Sequence, residues 1–112
     1  MSAKPVRWIG CTREDVRSFP GEAQREIGYQ LWQVQQGLDP DDWKPMPSIG
    51  MGVREIRIHT GLEHRVIYVA KFGEAVYVLH LFEKRTQATR WKDLNLARIR
   101  LGEVLRTRKA GS

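Results

Sequence analysis

Between Val53 and Glu83 the chain presents three strand-like segments with almost nothing between them. Residues 53–59, 64–72 and 75–83 are rich in Val, Ile, Tyr and Phe, the residues that suit a pleated, half-buried surface. The links are Thr60 to Glu63 and the pair Gly73 and Glu74. A parallel crossover needs a dozen or more residues, so links this short force antiparallel neighbours. The last segment holds Val76, Tyr77, Val78, Leu79, Leu81 and Phe82, apolar on both faces, which predicts a central strand.

The flanks supply helices. Val6 to Ile9 reads as a short strand closed by Gly10, and Thr12 as an N-cap ahead of Glu14 and Asp15. After the Ser18–Gly21 turn, Ala23, Ile27, Leu31 and Val34 recur on one helical face, and Gly37 stops the helix. These two elements form a helical hairpin. Asp39 to Gly50 is a long connection whose three prolines deny helix or central strand. Thr89 caps a closing helix with a stripe of Leu94, Ala97, Leu101, Val104 and Leu105. The order β-α-α-β-β-β-α predicts a small α+β fold over residues 1–112, one domain, with helices covering one face of the sheet.

Composition sets the class of partner. The 112 residues carry a net charge of +6, unevenly placed. Residues 1–52 hold six basic and seven acidic side chains, whereas residues 53–112 hold thirteen basic and six acidic. Such a half-molecule field favours a polyanion, although a solvated basic surface has the same composition. The one cysteine, Cys11, excludes an internal disulfide and a cysteine-built zinc site. No apolar run approaches the ~20 residues of a membrane span, and the opening residues lack a signal-like apolar segment, so the expectation is a cytoplasmic protein. Phosphate-loop, dinucleotide and serine-elbow motifs are absent, and the three histidines have no metal-type spacing, so neither metal nor cofactor is expected. His64 and His80 read as proton carriers or as structural histidines. Trp8, Trp32, Trp43 and Trp91 read as core or rim anchors.

Strand alternation carries the sharpest expectation. Ile56 and Ile58 share one face of their strand, and Glu55, Arg57 and His59 share the other. Arg65 opens the next strand, and Lys84 and Arg85 close the third. Antiparallel meandering brings these cations together, where only a polyanion would neutralise them. The competing reading pairs Arg57 with Glu55 or Glu63 and leaves Lys84 and Arg85 to charge a strand end.

The sequence also resembles a known family. Lys44 to Met46, G-V-R-E-I-R at 52–57, H-R-V-I-Y at 64–68, L-H-L-F-E-K-R-T-Q at 79–87 and Leu96 to Arg98 are similar, in order and spacing, to the HigB-like toxins. These form a phage-associated branch of the RelE/ParE superfamily of type II toxin–antitoxin systems. The resemblance implies a RelE-like fold and a ribosome-dependent mRNA endoribonuclease that inhibits translation. It implies a cognate helix-turn-helix antitoxin, with the ribosome and mRNA as partners. Residue by residue it places Arg57, Arg65 and Lys84 in catalysis; Lys71, Arg85 and His64 are expected to bind the RNA. His64 departs from the family's usual tyrosine, Arg85 from its second lysine, and Thr89-Arg90 from its Thr-Pro helix start. Two other readings remain: a non-enzymatic ParE-like toxin that binds DNA gyrase, and a basic nucleic-acid-binding module. The cluster leads to an expectation that Arg57→Ala or Arg65→Ala abolishes toxicity while the fold persists.

Overall fold

A computed structural model describes residues 3–87 and 90–111. Its elements are β1 (Val6–Trp8), α1 (Thr12–Arg17), α2 (Gly21–Gln35), β2 (Trp43–Pro45), β3 (Val53–His59), β4 (Glu63–Val69), β5 (Val76–Glu83) and α3 (Trp91–Ala110). They build an α+β fold around one five-stranded mixed sheet in the order β1-β5-β4-β3-β2. The meander β3-β4-β5 is antiparallel, as its short links require, and β1 joins β5 in parallel. Thr89 lies outside the described residues, and Arg90 occupies the position before α3.

One expectation is corrected. The helices cover both faces of the sheet. Ile27, Leu31 and Val34 of α2 pack with Ile56, Ile58, Val66, Tyr68, Val76 and Val78 on one side. Ala97, Leu101 and Val104 of α3 pack with Val53, Ile67, Val69 and Leu79 on the other. The physical reason lies in β4, where Val66 and Tyr68 on one face and Ile67 and Val69 on the other are all fully buried. Each such side chain gains about 1.5–3 kcal/mol only if it leaves water, so both faces need a cover. β5, apolar on both faces, is an interior strand between β1 and β4, as expected, and β4 stands at the middle of the sheet. The short β2 was not expected. It lies at the sheet edge, the position where Pro45 is tolerated within a strand.

The α3 stripe also differs from its periodicity. Leu105 is exposed, and Arg100 is buried among the helix's apolar positions. Trp32 and Trp91 are exposed and anchor no core. A bulge in β5 sets the remaining geometry: Ile67 pairs with His80 and Tyr68 with Val78, which leaves Leu79 as an extra residue. Leu79 joins the α3-side core, and His80, one residue on, also reaches α3.

Candidate nucleic-acid interface

The α3 side of the sheet carries its polar residues at the end where β3 turns into β4. Arg57 and Arg65 are direct partners in the β3–β4 register, and Arg65 and Phe82 are partners across β4–β5. Adjacent strands lie ~4.8 Å apart, so the three side chains span about 10 Å. Lys84 follows just past the end of β5, its backbone N–H donating to the carbonyl of Glu63 at 2.7 Å. The sheet therefore brings Arg57, Arg65, Lys84 and Arg85 to one end, in agreement with the alternation argument.

Two like charges directly opposite each other repel, and a set of carboxylates answers them. Glu55, wholly buried, lies 3.8 Å from Arg65 Nε and 3.8 Å from the Lys44 ammonium. Arg65 Nη1 donates to Glu63 at 3.2 Å and to the His64 carbonyl at 3.1 Å. Among the described residues the Arg57 side chain pairs with Asp42 alone, at 3.8 Å. His59 bridges the outer pair of acids, with Nε2 2.7 Å from Asp42 and Nδ1 2.8 Å from Glu63. The hydrogen bond to Asp42, then that to Glu63, holds the His59 pKa above its ordinary value. The same contact with His59, reinforced by Arg65, holds Glu63 below the usual carboxylate range. The arginines thus sit in a chain of alternating charge that fixes their positions and partly neutralises them.

The adjoining cleft is different. It measures about 390 Å³ and is lined by Phe82, Glu83, Lys84, Arg85, Arg90 and Asp93, among others. Arg85 Nε donates to Glu83 at 2.7 Å. Among the described residues no carboxylate pairs with Lys84 or Arg90. These two cations, beside Arg57 with its 37% exposed side chain, are the groups a phosphate would meet first.

Two expected residues are not brought here. His64 lies wholly buried on the α2 side, its ring 4.5 Å from that of Phe19. Neither of its ring nitrogens has a hydrogen-bond partner among the described residues, and burial lowers its pKa. It therefore points away from the face that carries Arg57 and Arg65. Lys71 sits past the far end of β4, about six residues or ~20 Å from Arg65. There it lines a separate cleft of about 260 Å³ with Arg54 and Asp39. Conversely, sequence reasoning missed Asp42, Lys44 and His59 as parts of the charge chain, and Arg90 and Asp93 as cleft residues; it offered Glu55 to Arg57, whereas Glu55 lies beside Arg65 and Lys44. Lys44 and Asp42 come from the proline-rich connection, which has no periodicity to place them.

The match to a family model decides the kinship: it covers residues 14–102 and is described as phage-derived protein Gp49-like (DUF891). The chain belongs to the Gp49-like family. That family is associated with RelE/HigB-like toxins, and its toxin-like character implies an antitoxin partner. No curated protein matches the chain. The matched span contains all of the charge chain and the cleft just described. Among the described residues no helix is long and apolar enough to cross a membrane.

Proposed function

We propose that this Gp49-like protein is the toxin of a type II toxin–antitoxin pair and acts as a ribosome-dependent mRNA endoribonuclease of the HigB-like kind in the cytoplasm. A cognate helix-turn-helix antitoxin would restrain it. The observation that carries the reading is the pairing of Arg57 with Arg65 beside a cleft holding Lys84 and Arg90, which pair with no carboxylate among the described residues. RNA brings its own nucleophile, the 2′-hydroxyl, so the protein need supply neither serine nor cysteine. Attack on the adjacent phosphate builds negative charge on the non-bridging oxygens. Fixed cations aimed at that charge lower the barrier, and the charge chain through Glu55, Glu63 and Asp42 holds two of them in place before substrate arrives. Holding the ribose so that its 2′-oxygen lies in line supplies the orientation term, which the ribosome's grip on mRNA would share.

The test is inducible expression in bacteria with growth and messenger 5′ ends followed together. The reading expects growth arrest with new 5′ ends inside coding regions. Growth arrest with DNA damage and no new RNA ends would mark a gyrase poison instead. Binding without arrest would leave a basic nucleic-acid module.

A further inference from the structure

A cleft that only bound RNA phosphate would be better without Asp93. This carboxylate opens into the same cavity as Lys84, Arg85 and Arg90, yet among the described residues no lysine or arginine closes on it. Its partner is His80, whose Nε2 lies 2.7 Å from Asp93 Oδ1. His80 is itself buried, stacked on Phe82 at 5.3 Å between ring centroids. Behind it the buried Arg100 donates to the Leu79 carbonyl at 3.0 Å and faces His80 Nδ1 at 3.4 Å. A guanidinium only donates, so Nδ1 must be the accepting nitrogen. These partners assign an imidazole hydrogen to Nε2, which donates to Asp93. One carboxylate oxygen is thereby pinned on a residue that lines the cleft. The β5 bulge makes this possible, because it turns His80 as well as Leu79 toward α3.

We infer that Asp93 is the general base of the site, with His80 and Arg100 as its positioning residues. The inference rests on the endoribonuclease reading above. The 2′-hydroxyl gives its proton to the carboxylate of Asp93 as the 2′-oxygen forms its bond to phosphorus. The bond from phosphorus to the 5′-oxygen breaks, and that oxygen takes a proton from the Lys84 ammonium across the cleft. The products are a 2′,3′-cyclic phosphate and a 5′-hydroxyl end. Asp93 and Lys84 return to their resting states by exchange with water. The arrangement separates the roles: unpaired cations for the phosphate, and one oriented anion for the proton.

The test is single-turnover cleavage of a defined mRNA on programmed ribosomes by the purified full chain. Asp93→Asn is nearly isosteric and keeps an acceptor for His80. It is expected to slow cleavage on the order of 10²–10⁴-fold while ribosome binding stays unchanged. The same measurement on an mRNA with a bridging 5′-sulfur at the cut site separates base from acid, because a thiolate leaves without a proton. The Asp93→Asn defect should persist on that substrate, whereas a Lys84→Ala defect should largely disappear. A variant that cuts as fast as wild type overturns the assignment, as does recovery of Asp93→Asn by the sulfur substrate. A lowered melting temperature with weakened ribosome binding would assign Asp93 to structure and also overturn it. If the wild-type chain leaves ribosome-bound mRNA whole, the endoribonuclease reading itself fails, a result distinct from a defect confined to the variant.

Discussion

Replacing Arg65 by alanine should cost the fold far more than replacing Arg57, although the two stand side by side in the register. The Arg65 side chain is 8% exposed and faces the wholly buried Glu55 at 3.8 Å and Glu63 at 3.2 Å. Without it, Glu55 keeps Lys44, whose side chain is 41% exposed, at 3.8 Å. Removing one partner of a buried pair costs roughly 3–5 kcal/mol, and the residual attraction of Lys44 lowers that to about 2–4 kcal/mol. A domain of this kind has a total stability of about 5–15 kcal/mol. At ~3–6 °C per kcal/mol for a chain of this length, the melting temperature should fall by roughly 6–24 °C. Arg57→Ala, by contrast, breaks an exposed pair worth about 0–1 kcal/mol. Removing both buried charges at once, as Arg65→Met with Glu55→Leu, should recover most of the loss, since apolar replacements of a buried pair are often neutral. Thermal and urea unfolding of the four proteins measures this directly. An Arg65→Ala melting within about 2 °C of wild type would refute the reasoning. So would a double variant no more stable than Arg65→Ala. Toxicity assays on Arg65→Ala therefore need a stability control that Arg57→Ala does not.

Three other outcomes follow from the same contacts. Binding of RNA to the cleft should weaken steeply between about 50 and 200 mM salt through counterion release, and a salt-insensitive association would argue for a protein target. His59, raised by Asp42 and Glu63, contributes stability below its ordinary pKa of about 6.5 and loses it as pH rises through the higher folded value. Glu63, lowered by His59, contributes above the ordinary carboxylate range and loses it as pH falls through its lower folded value. His59→Gln should flatten both arms of a stability-versus-pH curve, and an unchanged curve would remove the bridge. Gly10 has φ of +62°, and a Cβ there would lie 2.6 Å from Arg100 Nε. Gly10→Ala should therefore destabilise by roughly 1–2 kcal/mol for the backbone alone, readable as a lower urea midpoint.

The part of this structure that could be read from the chain is the part set by local rules. Links of a few residues fix β3, β4 and β5 as antiparallel neighbours, and once the Thr60–Glu63 turn sets the register, Arg57 must face Arg65. Strand period then puts both on the side away from Ile56 and Ile58. What local rules do not reach is decided by tertiary contacts. The choice of face for α3 depends on the need of Ile67 and Val69 for a cover, and alternating segments do not announce that need. His64 follows from the same alternation: as the neighbour of Arg65 it must point to the α2 side, so its burial against Phe19 was implicit in the register. The bulge at Leu79 has no signature in an unbroken apolar run, and it alone brings His80 to Asp93. Arg100 reads as the polar edge of a helix, yet it is buried because Leu79, His80 and Cys11 supply its acceptors.

Whether this cationic face acts on RNA is best settled with purified protein and a defined mRNA, free and ribosome-bound, comparing wild type with Arg57→Ala and Lys84→Ala. Cleavage should occur on the ribosome-bound message and disappear in both variants, with Arg57→Ala melting as wild type does. An intact message with the wild-type chain, or full cleavage by both variants, would mean that the paired arginines and the lysine beside them serve some other purpose.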